Sequence, residues 1–321
     1  MKKIAVAVDL GGTNIRAAAI DDQANICKKI KRPALAREGK EAVIGNLLSA
    51  IKEIYHGLPE KQVKGVSLGI AGAIQRKKGI ITQSPNFSGW EDCQIKLEVE
   101  AGLSRKIPVI LENDANAAAM GERWQGAGRG VDNLICLTLG TGIGGGIIIN
   151  GKLLYGADGM AGELGHITVV PDGPRCHCGN YGCLEALASG TAIQREATRA
   201  LKNHPESELN RRCEGNVKAI TAEMVYHSAT SGDLVCQKIY RTMGKYLGIG
   251  IASMVNIFNP EMVIIGGGVS KAWKLFAPHT TEEVNHRAFK AVAQRMTIVP
   301  AECGDDAGLL GAAYQIFNST F

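Results

Sequence analysis

The same short pattern occurs twice in this chain: a strand-forming run, a glycine turn that contains threonine, and a second strand-forming run. The first copy is VDLGGT at residues 8–13, and the second is LTLGTG at residues 137–142. Apolar runs bounded by glycine turns predict strands joined in hairpins. Helical periodicity follows several of the runs, which predicts an α/β sheet. Two copies of the hairpin therefore predict two α/β domains with one copy each.

Hydrophobic periodicity places the other elements around these hairpins. A meander is predicted over residues 4–8, 15–20 and 26–31, and helices are predicted over 39–56, 115–125 and 307–317. We predict an N-terminal domain over residues 1–118 and a C-terminal domain over 119–304. A closing helix near 305–321 is predicted to pack back on the first domain. The remaining strands are predicted over 63–70, 109–111, 134–139, 144–149 and 262–265.

Composition excludes several classes of protein. Of the 321 residues 45% are hydrophobic and 21% charged, which is ordinary for a soluble protein. The net charge of +5 is small, and no basic block interleaves with aromatic residues, so we expect no nucleic-acid partner. The first apolar run ends at Asp9, too early for a signal peptide, and no run is long enough to span a membrane. We therefore expect a cytoplasmic protein.

The two glycine turns are candidate phosphate sites. A phosphate needs several N–H donors close together, and glycine removes the side chains that would obstruct its approach. Ordinary hairpin turns have the same composition, so that interpretation stays open. Neither turn matches the P-loop or the dinucleotide-binding pattern. The candidate nucleotide residues in the turns are Gly11, Gly12, Thr13, Asn14, Gly140, Thr141 and Gly142.

Four further residues are candidates for contacts with the nucleotide and its cation. Asp9 ends the first strand beside the first turn, where a carboxylate would hold Mg²⁺ through water; the alternative is a turn residue. Gly267 and Gly268 end a strand and open a helix, as an adenosine site would require, although close packing explains them equally. Gly311 in the closing helix would admit either the base or another helix.

A carboxylate pair surrounds an asparagine at the end of a predicted strand, in Glu112-Asn113-Asp114. Open α/β sheets bind ligands at such ends. A kinase needs a carboxylate that accepts the proton of the attacking hydroxyl, and Asp114 is our candidate for this base. Asn113 both donates and accepts hydrogen bonds, which suits a sugar hydroxyl. The alternative is that Asp114 only caps the helix that follows.

The cysteine spacing gives the sharpest chemical signal. GELGH at residues 162–166 is followed by CHCGNYGCLE at residues 176–185. The pattern supplies three thiols and an imidazole, which form a closed tetrahedral zinc set with no position left for water. We predict a structural Zn²⁺ site, with His177 as a competing ligand and free thiols or a disulfide as alternatives. The predicted ligands are His166, Cys176, Cys178 and Cys183.

Several residues near these motifs are candidate sugar contacts. Glu163 and Glu185 flank the predicted zinc cluster, which would fix their carboxylates to accept hydrogens from sugar hydroxyls. Gly72 follows the strand predicted over 63–70, and Asn86 stands in the sequence Ser84-Pro85-Asn86; both are equally compatible with plain turns.

Together, these motifs resemble the ROK family of bacterial sugar kinases and sugar-responsive repressors. DLGGTN, ENDANAA, LGTGIGGG, GELGH and CHCGNYGCLE carry the resemblance, in the order of the family and across most of the chain. LEALASGTAI after Cys183 is most similar to the glucokinases of the family. The resemblance implies an actin-like, ribonuclease H-like α/β fold with two lobes around a cleft.

The resemblance also implies a function and site roles. We expect an ATP-dependent hexokinase that phosphorylates the 6-hydroxyl of glucose, with Mg²⁺ and a structural Zn²⁺. Asp114 matches the catalytic base, and Asn113, Glu163, His166 and Glu185 match sugar contacts. His166 would use one ring nitrogen for zinc and the other for a hydroxyl. A homodimer or homotetramer is expected.

Four alternatives remain. A sugar-sensing repressor would need a DNA-binding segment, and only a few residues precede the first glycine hairpin. A kinase for fructose, mannose or an N-acetylhexosamine would carry the same motifs. A polyphosphate-dependent kinase would favour a longer basic groove. A zinc-finger interaction module is disfavoured by the two glycine hairpins.

Overall fold

The computed structural model describes residues 2–84, 86–103 and 106–319. The strands are β1 (Ile4–Leu10), β2 (Asn14–Asp21), β3 (Ile26–Pro33), β4 (Val63–Ile70), β5 (Ala73–Gln75), β6 (Ile80–Gln83), β7 (Val109–Asn113), β8 (Leu134–Leu139), β9 (Ile143–Ile149), β10 (Lys152–Leu153), β11 (Met262–Gly266) and β12 (Thr297–Pro300). The helices are α1 (Lys40–Tyr55), α2 (Ile95–Gly102), α3 (Asp114–Gln125), α4 (Leu184–Ala188), α5 (Gly190–Ala200), α6 (Glu208–Arg212), α7 (Ala222–Thr230), α8 (Leu234–Phe258), α9 (Trp273–Arg287), α10 (Lys290–Ala293) and α11 (Ala307–Phe317). Short 3-10 turns lie at Ala36–Glu38, Glu60–Gln62, Leu164–His166, Leu201–Asn203, Val217–Ala219, Gly268–Ala272 and Gly304–Asp306.

The chain divides into two compact units. Unit 1 comprises Met1–Asp132, Gly146–Gly162 and Glu302–Phe321, and unit 2 comprises Asn133–Gly145 and Glu163–Ala301. These units differ from the predicted ranges 1–118 and 119–304: α3, which a boundary at 118 would cut, lies wholly in unit 1, and Gly146–Gly162 also belongs to unit 1. The closing helix α11 belongs to unit 1, and residues 320–321 of its predicted range lie outside the described residues.

The sheet of unit 1 has the strand order β3-β2-β1-β4-β7. β2 and β3 form an antiparallel meander with β1, whereas β4 and β7 run parallel to it. The three parallel strands end at the same edge of the sheet, with Leu10, Ile70 and Asn113. The first glycine turn, Gly72 and Asp114 follow these three strand ends, so the sheet brings the candidate residues of unit 1 to one edge.

The two faces of β1 carry side chains of different size. Val6 and Val8 belong to the core that includes the apolar face of α1, while Ala5 and Ala7 pack with α11. Side chains alternate between the faces of a strand, so one run of sequence supplies both surfaces. Alanines on the second face allow α11 to lie close to the sheet.

Helices α3 and α11 approach closely through paired glycines. A Cβ on Gly311 would overlap the carbonyl oxygen of Ala117, and a Cβ on Gly121 would overlap the carbonyl oxygen of Ala307. Gly311 was a candidate for the nucleotide site, with contact to another helix as the alternative. The structure shows the helix contact, which explains the glycine by itself. Its role toward a nucleotide stays a prediction.

We expect Gly311→Ala to lower the free energy of unfolding by about 1–3 kcal/mol, because the added methyl group overlaps the backbone of α3. Gly45→Ala is the matched control, because a Cβ on this exposed glycine of α1 meets nothing within 4 Å. That substitution should stabilise the protein by roughly 0.5–1 kcal/mol through helix propensity. Urea denaturation measures both changes. Stabilisation by both substitutions would show that the α3–α11 contact does not require glycine.

The second five-stranded sheet has the order β10-β9-β8-β11-β12, which repeats the order of the first sheet. β8, β11 and β12 are parallel, and Thr138 lies beside Gly266. The second glycine turn and Gly267 consequently follow neighbouring strand ends. The repeated order confirms the duplication predicted from the two glycine turns. Within the described ranges, no helix is both long enough and apolar enough to cross a bilayer.

Candidate active site

Asn113, rather than Asp114, caps helix α3. Its side-chain Oδ1 accepts hydrogen bonds from the backbone N–H groups of Ala115, at 2.9 Å, and Asn116, at 3.2 Å. Its Nδ2 donates to the carbonyl oxygen of Gly72 at 3.2 Å. Asp114 is the first residue of the helix and is exposed, and its Oδ1 also accepts from the N–H of Ala115 at 2.9 Å. Because Asn113 provides the cap, capping does not explain the presence of an aspartate at position 114. The carboxylate of Asp114 lies at the positive end of the helix dipole.

Gly72 and Asn86 lie close to other candidate residues of unit 1. Gly72 has φ = +133°, and a Cβ there would overlap the carbonyl oxygen of Gln83, so only glycine fits. Asn86 is exposed, and a Cβ on Gly12 would lie 3.1 Å from the Cβ of Asn86. The first glycine turn and a predicted sugar contact are therefore neighbours.

Asp9 forms an ion pair that sequence reasoning missed. Its Oδ2 accepts a hydrogen bond from Arg16, which lies opposite Asp9 in the β1–β2 hairpin. Arg16 also donates to the backbone carbonyl of Asp305 at 2.7 Å. The hairpin register was the signal that could have found this pair, because it places residues 9 and 16 side by side. The pair offsets much of the negative charge of Asp9, and its cation role stays a prediction.

The first glycine turn is closed by its own backbone. The N–H of Gly11 donates to the carbonyl of Asn14 at 3.0 Å, and the carbonyl of Thr13 accepts from the N–H of Ala34 at 2.8 Å. These bonds hold Gly12 and Thr13 at the tip of the hairpin, at the same edge as Asp114.

Glu185 supports the second glycine turn. Its Oε2 accepts a hydrogen bond from the N–H of Ile143 at 2.9 Å, and a Cβ on Gly142 would overlap this oxygen. Helix α5 also begins at the turn. The N–H of Gly190 donates to the backbone carbonyl of Gly140 at 2.8 Å, and the hydroxyl of Thr191 donates to the backbone carbonyl of Thr141 at 2.8 Å. Sequence reasoning assigned Glu185 to the sugar, and its contact with the turn was missed.

Gly267 and Gly268 have different surroundings. Gly267 has φ = +83°, and a Cβ there would overlap the carbonyl of Leu139, so close packing explains this glycine. A Cβ on Gly268 would have no described heavy atom within 4 Å beyond its chain neighbours. The open space lies beside Gly268, and this residue is the better candidate for a nucleotide contact.

The predicted zinc ligands lie together. The ligand atoms of His166, Cys176, Cys178 and Cys183 are all within 4.8 Å of one another. Cys178 and Cys183 have their Sγ atoms 3.7 Å apart, and the Sγ of Cys176 lies 3.6 Å from Nδ1 of His166. Zinc–sulfur bonds of about 2.3 Å and zinc–nitrogen bonds of about 2.0 Å give tetrahedral edges of about 3.5–3.8 Å. The four residues therefore fit a Zn²⁺ ion, and the sulfur separation is too long for a disulfide.

Backbone hydrogen bonds shape the loop that carries the cysteines. The N–H of Cys176 donates to the carbonyl of Asn180 at 2.8 Å, and that of Val169 donates to the carbonyl of Gly182 at 2.8 Å. Gly182 has φ = +65°, and a Cβ there would overlap the carbonyl of Val170. His177, the competing ligand, is exposed and outside the cluster.

Two carboxylates border the cluster. The Oε1 of Glu185 lies 3.7 Å from the Sγ of Cys176. His166 directs Nδ1 toward the cysteines, and its Nε2 lies 3.9 Å from the Oε2 of Glu163. Burial raises the pKa of Glu163, and the neighbouring His166 opposes this shift. The geometry is compatible with the predicted use of both ring nitrogens of His166.

The features together define an actin-like α/β protein with duplicated glycine hairpins and a Cys₃His cluster. Residues 5–318 match the model of the ROK family, and the chain belongs to this family.

Three relatives illustrate the range of proteins to which this chain is similar. A glucokinase from Thermotoga maritima is 40% identical over 308 residues, which cover 96% of this chain and 95% of that protein. The structure of a ROK family glucokinase from Streptomyces griseus, in complex with glucose and AMPPNP, is 35% identical with a TM-score of 0.86 and covers 98% of this chain and 100% of that one. A xylose repressor from Caldicellulosiruptor bescii is 35% identical over 88% of this chain and 70% of the repressor.

Proposed function

We propose that this protein is an ATP-dependent glucokinase that transfers the terminal phosphoryl group of ATP to the 6-hydroxyl of glucose. The observation that carries the proposal is the position of Asp114, an exposed carboxylate at the edge where β1, β4 and β7 end, whose helix is capped by another residue. The similarity to glucokinases along nearly the whole chain supports glucose as the acceptor.

In this proposal, Asp114 is the general base. Its carboxylate orients the sugar hydroxyl and accepts the hydroxyl proton as the new oxygen–phosphorus bond forms. Asn113 contributes the second hydrogen of Nδ2, since the other is directed to Gly72. The remaining proposed sugar contacts are Gly72, Asn86, Glu163, His166 and Glu185.

The two glycine turns are the proposed phosphate contacts, through the backbone N–H groups and threonine hydroxyls at their tips. Gly268 is the proposed contact of the adenosine part, beside Gly267. Arg16 contacts Oδ2 of Asp9, so we assign Oδ1 to a water of the magnesium ion. Mg²⁺ bound with the nucleotide would neutralise charge on the transferred group.

Zn²⁺ is proposed to be structural, held by His166 and the three cysteines. A closed ligand set leaves no position for a reacting water. The ligands instead fix the loop between His166 and Glu185, and Nε2 of His166 is proposed to contact a sugar hydroxyl. We also propose a cytoplasmic homodimer or homotetramer, which light scattering of the purified protein would test.

A coupled assay of ADP release tests this function across glucose, mannose, fructose, N-acetylglucosamine and N-acetylmannosamine. We expect glucose to have the highest kcat/KM, by about fivefold or more, since the loss of a contact to a missing or misplaced hydroxyl costs at least about 1 kcal/mol. The control is 6-deoxyglucose, which should bind without supporting ADP release. Preference for another hexose, or for polyphosphate as donor, would overturn the assignment. Sugar binding without any ADP release would indicate a sensor instead.

A further inference from the structure

A buried carboxylate lies two residues before the proposed base. Glu112 is only 2% exposed, and it lies at the end of β7 in unit 1. Four side chains from other segments of unit 1 contact it. We call these five residues the Glu112 network: Arg76, Glu112, Asn116, Tyr155 and Gln315.

Both oxygens of Glu112 are engaged. Oε1 accepts from the backbone N–H of Asn113 at 3.0 Å and from Nδ2 of Asn116 at 3.2 Å. Oε2 accepts from the hydroxyl of Tyr155 at 2.7 Å and from Nε2 of Gln315 at 2.8 Å. One oxygen therefore faces the start of α3, and the other faces the segment after β10 and helix α11.

Arg76 closes the network on its other side. Its Nε lies 3.3 Å from Oε2 of Glu112 in an ion pair without hydrogen-bond geometry, and its Nη2 donates to Oε1 of Gln315 at 3.0 Å. The guanidinium also lies over the ring of Tyr155, 4.9 Å from its centroid. Gln315 in turn donates to the hydroxyl of Tyr155 at 3.1 Å.

A carboxylate in this position is costly to bury. Burial raises the pKa of Glu112, and the hydrogen bond from Tyr155 and the charge of Arg76 oppose that shift. An apolar side chain of similar volume would avoid the cost, and buried ionic groups are often no more stabilising than such a replacement. Stability alone therefore gives little reason for a charged residue at position 112. A need for fixed geometry at the neighbouring residues does give such a reason.

The network fixes the residues on both sides of Asp114. Glu112 holds the backbone N–H of Asn113 and the side chain of Asn116, while Asn113 accepts the N–H of Asn116 in the cap. Asn113 also donates a hydrogen bond to the carbonyl of Gly72. Arg76 lies in the β5–β6 hairpin, which separates Gly72 from Asn86 in the sequence. The start of α3 is thus held from several directions at once.

We infer that Glu112 is a positioning residue for Asp114, and that Tyr155 and Gln315 act through it. The inference rests on the proposed function, because it assumes that Asp114 is the base. Misplacement of a reacting group by about 1 Å lowers rates by roughly 100-fold, so small changes in this network should affect turnover. Glu112 itself is covered by its partners and does not touch substrate.

The first test is a double-mutant cycle between Tyr155→Phe and Asp114→Asn. Tyr155→Phe should lower kcat about tenfold and leave the glucose Kd within about twofold, because only the placement of the base changes. In the Asp114→Asn background, the same change should lower kcat by less than about twofold. The control is Tyr240→Phe, which removes a buried hydroxyl in unit 2 that donates to the carbonyl of Ala222 at 3.3 Å. It should leave kcat unchanged.

The second test exchanges the two partners. Glu112→Gln places an amide against the amide of Gln315 and should lower kcat about tenfold or more. Adding Gln315→Glu restores one carboxylate and one amide to the pair, keeps an acceptor for Arg76, and should recover most of the lost turnover. The thermal midpoint of each variant separates a loss of stability from a loss of geometry.

The inference would be overturned if Tyr155→Phe left kcat unchanged, or if it lowered kcat equally in the wild-type and Asp114→Asn backgrounds. It would also be overturned if the exchange of Glu112 and Gln315 restored the thermal midpoint but not kcat. The proposed function fails by a different result, namely an Asp114→Asn variant that retains wild-type turnover. The two failures are therefore distinguishable in the same set of proteins.

Discussion

Asp114→Asn will bind glucose with nearly the wild-type Kd and will turn over at least about 100-fold more slowly. Asparagine has the size of aspartate, so the side chain still occupies its place at the start of α3. It cannot accept the proton of the attacking hydroxyl, and the general base is lost. The cap is unaffected because Asn113 provides it. Calorimetry with glucose and the coupled ADP assay measure the two quantities.

The matched control is Asp22→Asn, an exposed aspartate in the turn between β2 and β3. This turn is at the opposite end of β2 from the first glycine turn, and the substitution removes the same charge. The control should keep wild-type kcat. If Asp114→Asn lost less than about tenfold in kcat, Asp114 would not be the base.

Cys178→Ser should abolish stoichiometric zinc and weaken glucose binding by at least about tenfold. Cys178 is the exposed member of the cluster, so the change to serine disturbs packing less than it would at buried Cys176 or Cys183. Without the fourth ligand, the loop from His166 to Glu185 loses its cross-link. Elemental analysis of the purified protein and glucose calorimetry measure the two effects.

His177→Ala is the control for the zinc experiment, because His177 lies between two ligands in sequence and outside the cluster. It should retain one zinc per chain and wild-type glucose affinity. Zinc retained by Cys178→Ser would show that the ligand set is wrong. Zinc lost with an unchanged glucose Kd would separate the metal from sugar binding.

The strands and the metal cluster could be predicted because their signals are local. The apolar run from Val63 to Ile70 and the closing helix Ala307–Phe317 have the predicted bounds. The cysteine spacing brought Cys176, Cys178 and Cys183 together because only a few residues and two glycines separate them. Short loops leave few other arrangements, so the spacing limits the geometry.

The contacts that sequence reasoning missed join distant segments. Glu185 reaches Ile143 across 42 positions, and Gln315 reaches Glu112 across 203. Periodicity describes which face of one element is buried, but not which residue of another element meets it. For the same reason the sequence left Gly311 open between a nucleotide and a helix. It also left open whether Asp114 was the N-cap of α3, because asparagine and aspartate are both favoured at N-cap positions.

The central strand of each sheet, β1 in one and β8 in the other, leads into a glycine turn. A strand with neighbours on both sides loses its hydrogen bonds only in large opening events, so its amide hydrogens exchange slowly with solvent. We therefore expect the tips of the turns to be attached to strands whose amide hydrogens exchange slowly. A ligand that contacts either tip would need to order only a few backbone groups on arrival, which keeps the entropic cost of association low.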